Sequence, residues 1–147
     1  MKKIIGALLI GLALIFCLTG CNNTEKLIGE ESTVKVENDE VSLKLKEETL
    51  TKTGATFVLE NNMKTAIDYT PAYEIEMKKD DVWYKLNVVN EFADEIYEVD
   101  PKSTDQIIID WKQSYSKLSK GEYRVVKEIS VPETLELFYV VGEFTIK

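Results

Sequence analysis

The thiol of Cys21 is the side chain whose chemistry the sequence indicates most directly. Cys21 comes shortly after residues 4–17, an apolar run without charge, and Lys2 and Lys3 precede that run. A short apolar run after a basic start is typical of a secretory signal peptide, which is removed on export. Removal takes Cys17, the second cysteine, with it, so Cys21 has no disulfide partner in the mature chain. We therefore expect this thiol to be modified in another way.

Leu18-Thr19-Gly20-Cys21 resembles the lipobox, the signal of bacterial lipoproteins. The resemblance implies that the Cys21 thiol receives a diacylglyceryl group and that a peptidase then cleaves on its amino side. Small side chains at Thr19 and Gly20 suit a peptidase that binds an extended chain. Because each buried methylene contributes about 0.8 kcal/mol, two acyl chains hold a protein stably on a bilayer. The expected partner is the cell membrane, through lipid on Cys21, at its extracytoplasmic face.

Two other interpretations of the N-terminus are open at this stage. Residues 1–20 are compatible with a plain signal peptide that is followed by an incidental cysteine. The same residues are compatible with an uncleaved membrane anchor, although the apolar run is shorter than the roughly 20 residues that span a bilayer.

The sequence offers little that supports catalysis. It contains no histidine, which excludes Ser-His and Cys-His nucleophile pairs and a typical zinc site. No glycine-rich phosphate loop occurs in it. Carboxylate pairs such as Asp80-Asp81 and Asp94-Glu95 are expected by chance among 26 acidic residues. We therefore expect no enzyme, no catalytic residue and no cofactor.

Calcium is the metal ion that suits acidic turns, because Ca²⁺ prefers oxygen ligands. The candidate oxygens belong to Asp39-Glu40, Asp80-Asp81, and Glu91 with Asp94-Glu95. None of these groups has the spaced Asp/Asn loop ending in Glu that is typical of an EF-hand. Solvated turn charge is the favoured interpretation, and no metal ligand is predicted.

The mature chain is expected to be strongly acidic. Loss of Lys2 and Lys3 leaves 16 basic residues against 26 acidic ones, a net charge of −10. Such a chain is repelled by nucleic acid and by anionic lipid surfaces as a whole. The predicted partners therefore include no nucleic acid. The acidic balance favours solubility over the alternative of a cationic ligand, and the chain is expected to be a monomer.

Period-two alternation of apolar and polar residues runs through most of the chain after residue 40. In residues 41–46, Val41, Leu43 and Leu45 fall on one face and polar side chains on the other, as in a half-buried strand. Further strands are predicted at residues 55–60, 72–77, 82–86, 106–111, 122–130 and 135–146. Short strands with turn signals at intervals of about 8–12 residues predict an all-β fold, a two-sheet antiparallel sandwich.

The predicted organisation has three parts. These are a signal peptide at 1–20, a lipidated cysteine with a flexible tether at 21–39, and one β-sandwich domain at 40–147. The tether is polar, charged and nearly free of large apolar residues. Thr33-Val34-Lys35-Val36 within it is alternatively a short edge strand. Residues 90–98 are compatible with a helical turn or with a short strand near Ile96.

Two aromatic residues indicate how the sandwich closes. Tyr123 stands two residues after Gly121 at the start of a predicted strand. In immunoglobulin-like sandwiches a tyrosine at this place directs its hydroxyl to an upstream backbone group, the tyrosine corner. Gly121 is expected to let the chain turn tightly. Trp83 is predicted as the large side chain at the centre of the core.

Five segments, taken in order, resemble the bacterial Ig-like domain that occurs on lipoproteins and surface proteins. They are residues 56–62, 81–84, 109–111, 118–127 and 142–145. The resemblance implies a Greek-key sandwich in an extracytoplasmic setting. It implies no activity, because it carries no catalytic or ligand-binding residue onto this chain.

Aromatic residues give a further hint about function. The tyrosines expected beyond the needs of a small core are Tyr69, Tyr73, Tyr84, Tyr97, Tyr115 and Tyr139. Trp111 and Tyr115 are the candidate binding patch, for an envelope protein or a glycan, because aromatic side chains are frequent in binding surfaces. The alternative is that they are core or sheet-face residues.

The predicted function is a membrane-anchored, non-catalytic binding or interaction module. The alternative is an inhibitor or immunity-type lipoprotein, in which residues 87–100 form a loop that blocks a protease or a toxin.

Overall fold

The computed structural model describes residues 23–147. In this part of the chain ten strands form: β1 (Ile28–Glu31), β2 (Val41–Leu45), β3 (Gly54–Asn61), β4 (Ile67–Tyr69), β5 (Glu74–Lys79), β6 (Val82–Leu86), β7 (Tyr97–Val99), β8 (Ser103–Asp110), β9 (Gly121–Val131) and β10 (Glu136–Ile146). The helical elements are two 3₁₀ turns, Asn23–Leu27 and Glu47–Thr49, and one short helix, α1 (Lys112–Tyr115).

The strands form two antiparallel sheets. The large sheet has the order β1-β6-β5-β9-β4-β7, and β10 joins it on the other edge of β9. β9 is its central strand, because β10 pairs along its whole length while β5 and then β4 pair along its opposite edge. The small sheet has the order β2-β3-β8. The predicted all-β antiparallel sandwich is confirmed.

Alternation in the strands buries one face of each sheet. In β3, Ala55, Phe57 and Leu59 are buried while the residues between them are partly exposed. The facing position on β10 is Gly142, where an added Cβ would lie 2.7 Å from the Phe57 ring and 3.2 Å from Leu43. Only glycine fits this close approach of the two sheets.

Aromatic side chains from both sheets fill the centre of the core. Trp111 stacks on Phe144 with ring centroids 5.2 Å apart, and Tyr123 stacks on the same ring at 5.5 Å. Phe57 meets Phe144 edge-on at 6.1 Å. Trp111, Tyr123 and Phe57 are completely buried. The core is therefore built around Phe144, with Trp111 as its largest side chain.

Trp83 does not occupy the centre of the core, so this prediction is wrong. Pairing places Trp83 opposite Lys78, on the outer face of the large sheet. The ring is partly exposed, and the Arg124 guanidinium lies 4.5 Å from its centroid. The apolar alternation of β6 is weak, and the register with β5 decides which face Trp83 takes.

The first residues of the segment predicted as a tether pack on the domain in the structure. β1 pairs with β6, with Ile28 opposite Leu86, and so covers an edge that β6 would otherwise expose. Leu27 and Ile28 pack against the core. Residues 32–38 form neither helix nor strand, so the alternative strand at 33–36 is absent from the described structure. Residues 28–31 are therefore not part of a free tether, because β1 pairs with the backbone groups at the edge of β6.

A buried ion pair holds this segment against the large sheet. Arg124 Nε donates to Glu76 Oε2 at 2.6 Å, and the Ser32 hydroxyl donates to Glu76 Oε1 at 2.5 Å. Arg124 also reaches the Ser32 hydroxyl at 3.2 Å. The Glu76 side chain has no exposed surface, and that of Arg124 is 8% exposed. Ser32 therefore ties the N-terminal segment to two charges inside the structure.

Candidate binding site on the flank of the sandwich

The connection from β6 to β7 closes one flank of the sandwich. Residues 87–96 form it, and the structure describes them without helix or strand. On one side lies a cavity of about 650 Å³, here the flank cavity, whose lining includes Val34, Tyr73, Glu74, Asn90, Phe92, Tyr115, Glu128 and Tyr139. On the other side lies a groove of about 720 Å³, here the edge groove, whose lining includes Tyr69, Tyr73, Glu91, Phe92, Tyr97, Asp105, Ile108 and Asp110.

Tyr73 and Phe92 line both spaces and separate them. Their ring centroids are 5.1 Å apart, and Tyr73 is also stacked on Tyr115 at 6.3 Å. A second pair, Tyr69 and Tyr97, stacks at 5.3 Å farther along the edge groove. Tyr69 belongs to β4 and Tyr97 to β7, while Tyr73 lies in the connection from β4 to β5 and Phe92 in the loop 87–96. Packing of this loop on the sandwich therefore places the rings side by side.

The Tyr115 hydroxyl fixes the loop to the sheet. It accepts hydrogen bonds from the Ile75 backbone N–H at 3.2 Å and from Asn90 Nδ2 at 2.9 Å. Ile75 lies at the start of β5, just beyond the part that pairs with β6, so its N–H needs a partner. Asn90 Oδ1 is buried and has no hydrogen-bond partner among residues 23–147. The flank cavity thus presents a free polar acceptor beside aromatic rings.

Carboxylates dominate the charge around the two spaces. Glu91, Asp105 and Asp110 line the edge groove, and within the described chain no lysine or arginine does. The flank cavity has three glutamates, Glu30, Glu74 and Glu128, against the single basic residue Lys85. A groove with one sign of charge attracts ligands of the opposite sign. The flank therefore favours a cationic ligand.

Hydrogen bonding and burial keep the groove tyrosines neutral. Tyr69 donates to Asp105 Oδ2 at 2.6 Å, and burial together with this carboxylate raises the Tyr69 pKa. Burial raises the Tyr73 pKa to about 12, with smaller contributions from Tyr115 and Asp110. These phenols are therefore protonated throughout the physiological pH range and present neutral ring faces.

The loop also exposes apolar side chains to solvent. Val89 is 91% exposed and Ile96 is 71% exposed. Phe92 and Tyr97 are near 40%, at 37% and 43%. Phe92 and Tyr97 line the edge groove, Val89 lines the flank cavity, and Ile96 lines neither. Exposed apolar side chains that lie close together mark interaction sites.

Trp111 and Tyr115 do not form a surface patch, so this interpretation is wrong. Trp111 has no exposed surface and Tyr115 is 3% exposed. Trp111 Nε1 donates to the Lys52 carbonyl oxygen at 2.9 Å. The alternation Ile107-Ile109 continues to Trp111, which directs the indole into the core, and α1 turns Tyr115 inward. Tyr115 contributes to the site only through its hydroxyl and the inner wall of the flank cavity.

Tyr123 and Gly121 lie at the corner that leads into β9. Tyr123 is completely buried and its hydroxyl donates to the Ser119 carbonyl oxygen at 2.8 Å, the geometry of a tyrosine corner. The glycines of the described chain have no positive φ, so Gly121 is not needed for a special turn. A Cβ at this residue would lie 3.0 Å from Met77 Cε. Close packing, not backbone freedom, explains glycine here.

Besides Asn90, Asp105 and Asp110, the sequence interpretation missed one aromatic residue of the site, Phe92. It stands in an acidic stretch without strand alternation, so no periodicity marks it. The signal that identifies it is a lone aromatic residue among carboxylates in a long connection, which is unusual for a solvated loop.

Leu18, Thr19, Gly20 and Cys21 lie outside the described residues. No helix within residues 23–147 is long and apolar enough to cross a membrane. The same residues contain no group of three or more acidic, cysteine or histidine side chains placed to bind a metal ion.

Comparison with known proteins identifies the domain. A family model described as a bacterial Ig-like domain matches residues 37–144. No curated protein and no solved structure matches the chain. Domains of this family generally act in binding or interaction and are generally non-catalytic. Since the match spans most of the chain and agrees with the observed two-sheet sandwich, this protein belongs to the bacterial Ig-like domain family.

Proposed function

We propose that the protein is a lipid-anchored, extracytoplasmic module whose flank binds a basic segment of an envelope protein. The binding surface comprises the edge groove and the flank cavity. Family membership supports a binding role. The lipobox-like residues 18–21 support the anchor and the location.

The observation that carries the binding role is the placement of aromatic rings beside carboxylates in the edge groove. A lysine or arginine side chain over a tyrosine or phenylalanine ring gains about 0.5–2 kcal/mol from the cation–π interaction. Glu91, Asp105 and Asp110 add charge complementarity along the same groove. A basic protein segment can make both the cation–π contacts and the charge-complementary contacts. An acidic or neutral glycan has no cationic group for either interaction.

Affinity capture from the native envelope tests the binding role. The mature chain is immobilised as wild type, as Phe92→Ala and as Leu137→Ala, a matched control at an apolar residue that is 62% exposed on β10. We expect a basic protein to bind wild type and Leu137→Ala, to elute as salt is raised, and to be lost with Phe92→Ala. Equal capture by all three variants would contradict the assignment of the groove.

Cell fractionation tests the anchor separately. Replacement of Cys21 by serine removes the thiol that receives the lipid, so we expect the variant to leave the membrane fraction and to change mobility. If the Cys21→Ser protein stays in the membrane fraction with unchanged mobility, the lipid anchor is wrong.

The exposed loop supports a second candidate, the inhibitor or immunity-type lipoprotein. Val89 and Ile96 project from residues 87–96 with 91% and 71% of their surface exposed, as in a segment that enters the cleft of another protein. Inhibition of an envelope protease or a toxin by the mature chain, abolished by Ile96→Asp and unchanged by Leu137→Asp, would favour this candidate over the basic-segment ligand.

A further inference from the structure

The described chain enters the domain at a defined place. The Thr24 side chain is 1% exposed, and its hydroxyl oxygen accepts a hydrogen bond from the Ser119 backbone N–H at 2.9 Å. Cys21 precedes Thr24 by three residues, which can span at most about 11 Å. A lipid on Cys21 therefore emerges close to Ser119.

Ser119 lies between two exposed lysines, Lys117 and Lys120, in the connection from β8 to β9. This connection packs on the turn between β2 and β3. The Leu118 backbone N–H donates to the Lys52 carbonyl oxygen at 2.9 Å, the same oxygen that accepts from Trp111 Nε1. Four exposed lysines thus share one end of the sandwich. We name this set the basic end: Lys52, Lys112, Lys117 and Lys120.

The basic end is a local cluster of positive charge in a molecule whose net charge is negative. Residues 49–59 and 111–121 contain these four lysines and no acidic residue, although the mature chain has a net charge of −10. Asp110 and Glu122 flank the second segment, and Glu25 follows Thr24. Exposed Glu47 and Glu48 precede the first segment, and Asp80 and Asp81 form the β5–β6 turn at this same end, so the lysines are a local cluster beside carboxylates. Among residues 23–147, none of the four lysines is in a salt bridge. Their charges are available to an external anion.

The opposite end of the sandwich is acidic. β3 runs from Gly54 at the basic end to Asn61, about 23 Å away at 3.3 Å per residue. The turns next to Asn61 and at the end of β9 contain the acidic residues Asp39, Glu40, Asp100 and Glu133 against the two lysines Lys64 and Lys102. An anionic surface therefore attracts one end of the domain and repels the other.

We propose that the basic end binds the headgroups of anionic phospholipids beside the lipid anchor, so that the domain lies on the bilayer with its acidic end directed away. This inference rests on the proposed lipid anchor on Cys21. Lysines close to an anionic membrane surface are attracted by its negative potential. One lipid anchor and one basic surface together fix both attachment and orientation, and the flank remains open to a partner.

Lysine footprinting tests the orientation without relying on lipidation in the cell. The mature chain is coupled through Cys21 to maleimide lipid in vesicles, either phosphatidylcholine alone or phosphatidylcholine with phosphatidylglycerol. Acetylation rates of individual lysines are then measured by mass spectrometry. We expect acetylation of Lys117 and Lys120 to fall by at least about threefold in the anionic vesicles. Lys64, exposed near Asn61, should be unchanged.

Charge reversal provides the matched control. Lys117→Glu should remove the protection of Lys112 and Lys120 in anionic vesicles, whereas Lys64→Glu should leave it intact. Equal protection of Lys64 and Lys117, or protection that survives Lys117→Glu, would overturn the inference. Failure of the Cys21→Ser fractionation experiment would overturn the anchor instead, because the coupled protein is attached chemically in either case.

Discussion

The Lys127 ammonium lies inside the sandwich, where its surroundings determine its protonation. Its Nζ donates to the carbonyl oxygens of Thr70 and Ala72 at 2.7 and 2.8 Å. Those carbonyls flank Pro71, at the break between β4 and β5 where the chain leaves the ladder. Lys127 is 1% exposed, and burial lowers its pKa to about 8. At neutral pH the ammonium is charged and donates to both carbonyl oxygens, although its burial costs desolvation free energy.

The free energy of unfolding should rise by about 2 kcal/mol between pH 8 and pH 10 because of Lys127. Its folded pKa of about 8 lies below the ordinary value of 10.5, so the unfolded chain binds more protons in this window. Above pH 10 stability should fall, because the Tyr73 pKa is raised to about 12 and the unfolded chain loses that proton first. Urea unfolding from pH 7 to 11 measures both slopes. Lys127→Met should lack the rise and keep the fall; an unchanged rise would contradict the assignment.

The buried ion pair of Glu76 and Arg124 is a second case in which the charge of a side chain determines stability more than its shape does. Glu76→Gln leaves the Arg124 guanidinium buried without its counter-charge, so the free energy of unfolding should drop by about 3 kcal/mol or more. Glu143→Gln is the control, since Glu143 is opposite Arg124 on β10 but exposed, and should change stability by less than about 0.5 kcal/mol. Urea unfolding at pH 7 compares the two. Similar losses in both variants would show that the pair is not special.

At the scale of elements, the turn between β5 and β6 offers a stabilising change. Lys79 pairs with Val82, so Asp80 and Asp81 form a two-residue loop, and both have positive φ, 50° and 63°. Glycine adopts positive φ without a Cβ clash, so Asp81→Gly should raise the free energy of unfolding by about 0.5–1 kcal/mol. Asp81 is 4.0 Å from Lys78 but fully solvated, and loss of that contact should cost little.

The control for this turn is a glycine where φ is not positive. Asp39 lies in an exposed turn and is not among the residues with positive φ. Asp39→Gly should lower stability by a few tenths of a kcal/mol, because it only adds freedom to the unfolded chain. Thermal unfolding of both variants decides between the two effects. Destabilisation by Asp81→Gly would contradict the positive-φ explanation.

The same elements show which features the sequence could predict. Two-residue alternation identifies β2, β3, β8, β9 and β10, because one face of each packs against the other sheet. Extending the alternation of β8 by one step places Trp111 in the core. The prediction of a binding patch relied on the aromatic residue type and did not use this alternation. Glu76 between Ile75 and Met77 is a further signal, a carboxyl in an apolar strand. The pairing of β1 with β6 leaves no such mark, since the edge that it covers exists only in the folded sheet.

The flank was less predictable than the sheets for a related reason. The tyrosines could be identified as candidates by type, but their stacking depends on how residues 87–96 pack across the open side of the sandwich. That connection has no periodicity, and its long-range contacts, such as Asn90 with Tyr115, decide its path. Local sequence therefore indicates the composition of the groove and not its shape.

At the scale of the whole molecule, the two sheets approach closely where β10 passes over the small sheet. Gly142→Ala places a Cβ 2.7 Å from the Phe57 ring, so the sheets must shift and the free energy of unfolding should drop by about 1–3 kcal/mol. Gly121→Ala is the control. Its Cβ would meet the flexible end of Met77 at 3.0 Å, and a smaller loss, below about 1 kcal/mol, is expected.

A compensating change distinguishes overpacking from loss of backbone freedom at residue 142. Phe57→Leu removes the ring atoms that the new Cβ would contact, and alone it should destabilise the core by leaving a cavity. Combined with Gly142→Ala, it should lose less than the sum of the two single losses, by about 1 kcal/mol or more, because the methyl group occupies the vacated space. Urea unfolding of the four proteins in this double-mutant cycle measures the coupling. Simple additivity would show that the Phe57 ring does not determine the spacing of the sheets. Coupling would show that the Phe57 ring and the absence of a side chain at Gly142 together determine it.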